Sequence, residues 1–363
     1  MPVRCPKPIL SGVRIEASGG WLHLAASDGE VKLLTQVEAR GNLPGCVVSC
    51  AELGRRARAS KGDACALSLK NRPQRLCIKG GRVEHALPTL PAEEFPPIPD
   101  RHHGDTLTID AEQLHTQLTA VSHAVAPEST RYAIDGVLLE SDDDGARLVA
   151  TDGRRLVVAD LRPHETTLRE NVIIPAVVAR LVRKLAARES GLLTLAVEAN
   201  QNEAGKTPFT DLYAAGCDWL LSAPKGEGSF PRYRDVMPSS RSKFLIDRRP
   251  LIETLKEIGL AVSLDAPVVY VDLSPRRIRL SASSPEAGES SAKLPARFLG
   301  GGDRTIHTAF KPAYLLDACN ALDGEQIIID IGQNGLGCGG KVLGKPALLY
   351  AHDNSATRCL VMP

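Results

Sequence analysis

Hydrophobic and polar positions alternate along three stretches of similar design, which begin at Gly12, Gly136 and Val268. In each stretch an alternating apolar segment ends at a polar turn, and two further apolar segments follow around a second short turn. Such segments are typical of β-strands joined by tight turns. Antiparallel strands of this kind need helices or a second sheet over one face. The pattern therefore predicts an α+β fold with antiparallel sheets.

The turns repeat with the strands. The Asp-Gly pair at 28–29 lies as far after Gly12 as the pair at 152–153 lies after Gly136. Self-similarity over a long period indicates a repeated structural unit and takes precedence over local guesses. The stretch at 131–160, RYAIDGVLLESDDDGARLVATDGRRLVVAD, is the best-formed copy.

Two similar joints separate the units. Phe95 and Phe230 each precede a proline, and a Pro-bounded loop, a short strand and a helix follow. Proline cannot donate to a central ladder, so these loops are natural linkers. We place the boundaries near Arg101 and Ser240, which gives three domains over residues 1–101, 102–239 and 240–363.

Five short amphipathic helices are predicted, one in the first unit and two in each of the others. Ser49 and Glu52 form a capping box at the start of the first helix. The third helix is expected to turn Leu181, Val182 and Leu185 inward, with Val177 on the same stripe as the two leucines. The other starts are Asp110, Pro175, Pro250 and Pro312.

Composition narrows the function classes only a little. The net charge of +1 neither favours nor excludes nucleic acid, so a basic patch would have to come from segregated charges. The nine cysteines include one close pair, Cys46 and Cys50, without a second pair at metal-ligand spacing. The first residues, MPVRCPKPIL, lack the apolar core of a signal peptide. We expect a cytoplasmic protein with reduced thiols, no metal, no cofactor and no membrane contact.

Catalytic motifs do not stand out. The glycines at 335–340 precede no predicted helix, and neither a Gly-x-Ser-x-Gly elbow nor a His-Glu-x-x-His pair occurs. The acidic run at 142–144 fits a solvated hairpin turn better than a cation site. An enzyme built on a repeated α+β scaffold remains an alternative, because catalytic residues can meet only in space.

Basic residues gather on the outer faces of two predicted helices in equivalent units. One such face is ordinarily just solvated surface. Two of them favour a shared anionic partner, and the phosphate backbone of duplex DNA is the obvious candidate. The six residues are Arg55, Arg56 and Arg58 in the first helix and Arg180, Arg183 and Lys184 in the third.

Four motifs in order carry a family resemblance over nearly the whole chain. They are ATDGRRL at 150–156, preceded by Arg131, Tyr132 and Gly136, then FPRYRDVMP at 230–238, FKPAYLLDACNAL at 310–322 and the terminal LVMP at 360–363. Each alone is weak. Together they resemble the β sliding clamp of bacterial DNA polymerase III.

The resemblance implies a ring of two head-to-tail subunits, with sheets outside and helices lining a hole for duplex DNA. It implies no enzymatic step: a homodimer would confer processivity on the replicative polymerase by enclosing its template. The polymerase III catalytic subunit, the clamp loader and other proteins with clamp-binding motifs are the implied partners. By position, Leu107 and Ile109 are expected to meet Ala261 and Val262 of the other subunit.

The resemblance also implies a cleft between the second and third domains that captures short linear motifs of those partners. Apolar side chains with a few polar groups suit the anchors of an extended peptide. Carried over by position, the cleft residues are Ile134, Thr151, Gly153, Arg155, Leu156, Pro238, Leu360 and Met362, with Arg131, Tyr314 and Val361 on its second half.

The chain departs from the family pattern at its start. Family members place a strand and a helix ahead of the segment that matches Pro8-Ile9-Leu10, and here that segment stands almost first. The first domain is therefore expected to lack one strand and one pore-lining helix. This leaves open an alternative function, a degenerate clamp paralogue that binds partner peptides without encircling DNA.

Overall fold

The chain is described by a computed structural model, in which it forms two compact units. Unit 1 comprises Met1–Ala111, His164–Leu168 and Arg188–Lys225, and unit 2 comprises Glu112–Pro163, Arg169–Ala187 and Gly226–Pro363. The structure describes residues 7–60, 64–70, 74–97, 104–128, 132–142, 145–200, 209–238, 242–263, 265, 267–332, 337–338, 341–342 and 345–363.

The five predicted helices are confirmed in the part of the chain that the structure describes. The capping box forms as expected, since the Ser49 hydroxyl accepts a hydrogen bond from the Glu52 amide at 3.4 Å. The fourth helix begins at Arg248, earlier than the predicted Pro250. The helices are α1 (Cys50–Ala59), α2 (Ala111–Ser122), α3 (Ala176–Ala186), α4 (Arg248–Ile258) and α5 (Pro312–Ala321).

Strands make up most of the rest. In the first part of the chain they are β1 (Gly12–Ser18), β2 (Trp21–Ser27), β3 (Lys32–Glu38), β4 (Leu43–Ser49), β5 (Ala66–Lys70), β6 (Arg75–Gly80), β7 (Val83–Pro88), β8 (Leu90–Pro91), β9 (Asp105–Asp110), β10 (Gly136–Asp142), β11 (Gly145–Thr151), β12 (Arg155–Leu161), β13 (Glu165–Thr166) and β14 (Val172–Pro175). The later strands are β15 (Leu192–Asn200), β16 (Phe209–Ala215), β17 (Trp219–Pro224), β18 (Ser242–Asp247), β19 (Val269–Ser274), β20 (Arg277–Ser284), β21 (Gly288–Pro295), β22 (Arg297–Gly301), β23 (Ile306–Phe310), β24 (Gln326–Ile331), β25 (Gly337–Cys338), β26 (Lys341–Val342), β27 (Ala347–Ala351) and β28 (Thr357–Val361).

The repeat consists of two halves, each of which is a strand, a helix and three further strands. The second repeat has β9, α2 and β10–β12, then β14, α3 and β15–β17; the third has β18, α4 and β19–β21, then β23, α5, β24, β27 and β28. In both repeats the leading strand of one half pairs with the first strand after the helix of the other half. The first repeat has β1–β3, then β4, α1 and β5–β7, and β4 pairs with β1 as this rule requires.

Close approach between strands explains why the equivalent strands β1 and β10 both begin with glycine. Gly12 lies opposite Ser49 and Gly136 opposite Pro175 in equivalent pairs of strands. A Cβ atom on Gly12 would lie 2.5 Å from Val47 Cγ1, and one on Gly136 would lie 2.6 Å from the backbone oxygen of Ile174. A side chain at either position would therefore push the paired strands apart.

The two Asp-Gly turns have the same hydrogen bonds. Asp28 Oδ1 accepts from the amides two and three residues on, and Asp152 Oδ1 does the same. Gly29 and Gly153 adopt φ of 108° and 81°, a region that only glycine enters without strain. The shared sequence spacing thus reflects one turn geometry used twice.

Each of the two large sheets contains strands from two of the predicted domains. Unit 1 holds a ten-stranded sheet in the order β13-β9-β15-β16-β17-β3-β2-β1-β4-β8, in which β17 of the second repeat pairs with β3 of the first. Unit 2 holds a nine-stranded sheet in the order β14-β10-β11-β12-β28-β27-β24-β18-β22, in which β12 of the second repeat pairs with β28 of the third. The strands of the predicted second domain are therefore divided between the two units.

The buried face of α3 agrees with the prediction at Val182 and differs at Val177, while Leu181 and Leu185 are half-buried. Val178, Ala179, Val182 and Ala186 are buried, whereas Val177 is 55% exposed. The helix packs against β10 and β14.

The first repeat shows an unfilled strand position among the described residues. By the pairing rule of the other repeats, β5 should have a leading strand beside it, yet β5 pairs only with β6 and lies at the edge of the three-stranded sheet β5-β6-β7. Among the described residues this repeat thus has an open sheet edge at β5 and one helix, α1.

Candidate functional site

A cavity of about 330 Å³ opens on unit 2 where three segments of chain converge. They are the turn from Thr151 to Leu156, the 3-10 turn Tyr233–Val236, and the end of β28. Its size is in the range of pockets that take small ligands or peptide side chains. The lining residues are Tyr132, Ile134, Thr151, Asp152, Gly153, Arg155, Leu156, Pro231, Arg232, Tyr233, Val236, Leu360 and Met362.

The floor of the cavity is the pairing of β12 with β28. Leu156 lies directly opposite Leu360, and the two are 3% and 1% exposed. Met362 follows on the same face, half-buried, because side chains alternate along a strand. Val361 points to the opposite face, where it is buried, and does not line the cavity.

The Asp-Gly turn forms one wall. The Thr151 hydroxyl accepts from the Gly153 amide at 3.1 Å and donates to the Arg155 carbonyl at 2.7 Å. Arg155 Nε donates to Asp152 Oδ2 at 3.0 Å, and Arg155 Nη1 donates to Asp317 Oδ2 at 2.5 Å. These bonds fix an arginine whose side chain is only 15% exposed.

Tyr314 contacts this wall from behind. The guanidinium carbon of Arg155 lies 4.6 Å from the centre of the Tyr314 ring, and the Lys311 ammonium lies 5.0 Å from the same centre. Both are cation–π contacts within the usual range. Tyr314 is therefore a support of the cavity wall, not part of its lining.

The remaining wall is the proline-rich linker, and its residues were missed. Tyr233 and Val236 line the cavity, and Tyr233 also packs against Leu156 and Leu360 in one apolar cluster. The FPRYRDVMP motif pointed to this segment, but a motif does not tell which of its side chains face inward. The predicted Pro238 instead lies beside Gly332 in the next strand connection.

Burial controls the ionisation of two groups near the cavity. Burial lowers the pKa of His123, and the neighbouring Arg155 guanidinium lowers it further, which favours the neutral imidazole at pH 7. Burial also raises the pKa of the Tyr233 hydroxyl, and its hydrogen bond to Glu140 adds to the effect. Both groups therefore stay uncharged at neutral pH.

Of the predicted cleft residues, the structure brings seven together around one cavity: Ile134, Thr151, Gly153, Arg155, Leu156, Leu360 and Met362. Pro238, Tyr314 and Val361 lie near it without lining it. Arg131 lies outside the described residues.

The two basic helices, α1 and α3, differ in whether acidic residues on the same helix offset their positive charge. On α1, Glu52 forms ion pairs with Arg55 at 3.0 Å and with Arg56, and Arg58 is exposed. On α3 no acidic residue occurs; Arg180 and Lys184 are exposed and Arg183 is half-buried. The face of α3 is therefore the stronger concentration of positive charge.

Three of the four residues predicted to contact the other subunit have side chains that are buried within their own chain. Leu107 and Ile109 are fully buried on β9 within unit 1, and Ala261 is 2% exposed within unit 2. Alternation on β9 turns these apolar residues toward the core of their own chain. Only Val262 is half-exposed, and beside it Leu260 is 80% exposed.

Neither a metal cluster nor a membrane span is found where the chain is described. Those residues include no group of three or more His, Cys, Asp or Glu side chains that could hold a metal ion. None of their helices is long and apolar enough to cross a bilayer.

Comparisons with known proteins agree with this architecture. Three family models match the chain in order: the DNA polymerase III beta subunit N-terminal domain at residues 1–99, its central domain at 108–207 and its C-terminal domain at 234–335. The order and spacing of these matches correspond to the three repeats.

Individual relatives are similar over most of their length. The beta sliding clamp of Pseudomonas putida is 25% identical over 98% of this chain and 92% of its own, and that of Caulobacter vibrioides is 26% identical over 88% and 84%. A crystal structure of the sliding clamp of Pseudomonas aeruginosa bound to griselimycin matches with a TM-score of 0.85 at 24% identity, covering all of this chain and 93% of that one. The chain therefore belongs to the DNA polymerase III beta subunit family and has the three-domain sliding-clamp fold of antiparallel sheets with a few short helices.

Proposed function

We propose that this protein is a DNA sliding clamp, which holds the replicative polymerase on duplex DNA by encircling it as a homodimer. The observation that carries the proposal is the presence of all three family domains in order, with the cavity at the β12–β28 pairing. The protein would act in the cytoplasm as a processivity subunit with no chemical step of its own. The alternative of a paralogue that binds peptides without encircling DNA is not favoured by these matches.

The strand pairing rule supports a closed ring. Two pairs of strands join neighbouring repeats. β3, which ends the first half of repeat one, pairs with β17, which ends the second half of repeat two. In the same way β12, which ends the first half of repeat two, pairs with β28, which ends the second half of repeat three. The strands that remain are β21 of the third repeat and β7 of the first. Each lies at the edge of its sheet among the described strands. Pairing of β21 with β7 of a second copy, and the reverse, closes a head-to-tail ring.

Exposed apolar residues accompany both edges. Val83 at the start of β7 is 54% exposed. Leu260 is 80% exposed in the 3-10 turn Gly259–Ala261, which contacts β21. Exposed apolar side chains beside an unpaired strand edge are typical of an interaction surface. We therefore assign the subunit contact to β7, β21 and Leu260 in place of Leu107 and Ile109.

Basic α3 residues are proposed to face the DNA. Arg180, Arg183 and Lys184 lie on one side of a helix whose other side is buried, without acidic neighbours on the helix. Loose contacts of this type neutralise phosphates without reading sequence, which is compatible with sliding. On α1, Arg58 is the residue whose charge Glu52 does not offset, and Arg55 and Arg56 contribute less.

The cavity is proposed to take the linear motifs of the polymerase III catalytic subunit, the clamp loader and other clamp-binding proteins. Its floor is apolar, from Leu156, Leu360 and Met362, and the polar groups of the Thr151–Arg155 turn stand at its rim. This arrangement suits a peptide with leucine or aromatic anchors.

Leu260→Asp tests the ring interface. A charge at this position would have to be desolvated in the dimer, so we expect the dimer dissociation constant to rise at least about tenfold. Light scattering after size-exclusion chromatography should give a mass of twice 38.9 kDa for the unaltered protein and a concentration-dependent fall toward 38.9 kDa for the variant. Leu192→Asp, at a residue that is 48% exposed in unit 1, serves as the control. Equal masses for the two variants would mean that Leu260 is not part of the interface.

Reversal of the α3 charges tests the DNA contact. Arg180, Arg183 and Lys184 changed together to Glu should weaken binding to duplex DNA and flatten the slope of log affinity against log salt by about one unit per lost phosphate contact. The matched control reverses three exposed arginines elsewhere, Arg40, Arg162 and Arg169, for the same change in net charge. An equal loss in both variants would mean that net charge, not the α3 face, governs binding.

Truncation of the cavity floor tests the peptide site. Met362→Ala should weaken the binding of a fluorescent peptide from the polymerase III catalytic subunit by about 1–2 kcal/mol, and Leu156→Ala combined with it by ~2 kcal/mol or more. We also expect griselimycin, with which the Pseudomonas aeruginosa clamp was solved, to bind the unaltered chain and bind these variants less tightly. Leu34→Ala, a half-buried leucine of unit 1, controls for general loss of packing. Unchanged affinities would refute the cavity as the peptide site.

A further inference from the structure

A buried carboxylate lies behind the linker wall of the cavity. Glu140, in the middle of β10, is 8% exposed. Its Oε2 accepts a hydrogen bond from the Tyr233 hydroxyl and another from Arg234 Nη2 at 3.0 Å, and Arg147 Nε of β11 lies 3.4 Å away. A buried charge is tolerated only when several partners satisfy it, and here two of the three come from the linker.

Arg234 joins the linker to a second carboxylate as well. The same Nη2 atom donates to Asp142 Oδ2 at 2.8 Å, and Arg147 Nη2 donates to Asp142 Oδ1 at 3.0 Å. Two carboxylates and two guanidinium groups thus form a neutral cluster with the Tyr233 hydroxyl. We call these five residues the Glu140 network. Three of them belong to the β10–β11 hairpin, and Tyr233 and Arg234 belong to the linker.

The linker is held to unit 2 mainly by side chains. Its described backbone hydrogen bonds outside regular helices and strands stay within the segment: Tyr233 to Pro231, Asp235 to Arg232 and Met237 to Arg234. A single 3-10 turn is a weak structure on its own. Its position against the hairpin therefore depends on side chains. Tyr233 packs in the apolar cluster with Phe230 and Met237 beside it, and Arg234 forms ion pairs with the hairpin.

The same turn carries the cavity wall. Tyr233 and Val236 line the cavity on one side, while the hydroxyl of Tyr233 and the guanidinium of Arg234 reach the hairpin on the other. A movement of the turn by an ångström would change the width between Val236 and the floor at Leu156 and Met362. Binding sites lose affinity when their walls must be ordered on binding, because that ordering opposes association.

We propose that the Glu140 network is a positioning device for the peptide cleft: its charges hold the Tyr233–Val236 turn at the width that accepts a partner peptide. This rests on the proposed peptide-binding function of the cavity. Glu140, Asp142 and Arg147 do not line the cavity and act on the peptide only through Tyr233 and Arg234. Mutating Glu140 or Arg234, neither of which lines the cavity, therefore changes affinity without changing the surface that the peptide contacts.

Two variants test the proposal. Glu140→Gln keeps the shape of the side chain and removes its charge, and Arg234→Met removes the bridge to both carboxylates at a side chain that is 53% exposed, so the fold is little affected. Each should lower the affinity for the fluorescent polymerase peptide about three- to tenfold. The double variant should lose hardly more than the worse single variant, because both changes release the same turn.

Hydrogen–deuterium exchange supplies a readout that general destabilisation does not produce. In both variants the amides of residues 232–237 should exchange faster while those of β12 and β28 keep their rates. Arg234→Lys keeps a positive charge beside the two carboxylates and should retain most of the affinity. Glu16→Gln breaks an exposed ion pair with Arg14 in unit 1 and should change neither readout.

The outcomes separate this proposal from the proposed function. If the unaltered chain fails to bind the peptide, the cavity is not a peptide site. If the unaltered chain binds the peptide and the Glu140→Gln and Arg234→Met variants bind it with the same affinity, the cavity is the peptide site but the network has no positioning role. Faster exchange throughout unit 2 with a parallel loss of affinity would also overturn the positioning role, because the network would then be a stabilising element of the fold.

Discussion

The antiparallel pairing of β12 with β28 is the interaction on which the rest of the structure depends. It places Leu156 opposite Leu360 and thereby joins the second repeat to the third as one sheet. It also brings the Thr151–Leu156 turn, the end of the chain and the proline-rich linker to a single edge, where the cavity forms. Neither repeat contains this site alone. The cleft exists because two copies of one architecture share a sheet.

The same logic extends to assembly. Backbone N–H and C=O groups of an edge strand are unsatisfied unless another strand or solvent takes them. Pairing of β3 with β17 and of β12 with β28 satisfies two such edges within the chain. Among the described strands, β7 and β21 are the corresponding last strands of a half-repeat that lie at a sheet edge instead. In the proposed ring a second copy would supply the partner for each, and the basic helix faces would contact the DNA.

Much of this could be predicted from the sequence, for reasons that are local. Some residues are required by local geometry and therefore mark the repeat directly. Ser49 caps a helix, the glycines of the Asp-Gly turns adopt a positive φ, and Gly12 and Gly136 permit a close approach of strands. The family resemblance, carried over by position, pointed to Leu156, Leu360 and Met362, which the structure places around one cavity. What could not be predicted depends on partners distant in sequence. What packs against each residue decides the burial of Val178 in place of Val177 on α3. It also decides the inward orientation of Tyr233 and the burial of Leu107 and Ile109. The second repeat is divided between two sheets because its strands pair with strands of the first and third repeats. The periodicity within one repeat does not predict such pairing.

The central claim is topological: the protein stays on DNA because it encloses it, not because it binds it tightly. The direct measurement is retention on a nicked circular plasmid after loading by a clamp loader, followed by gel filtration before and after the plasmid is cut once. The account predicts that the protein stays with the circle and is lost from the linear form, since a ring can slide off a free end. Equal retention on circular and linear DNA, or equal loss from both, would contradict it.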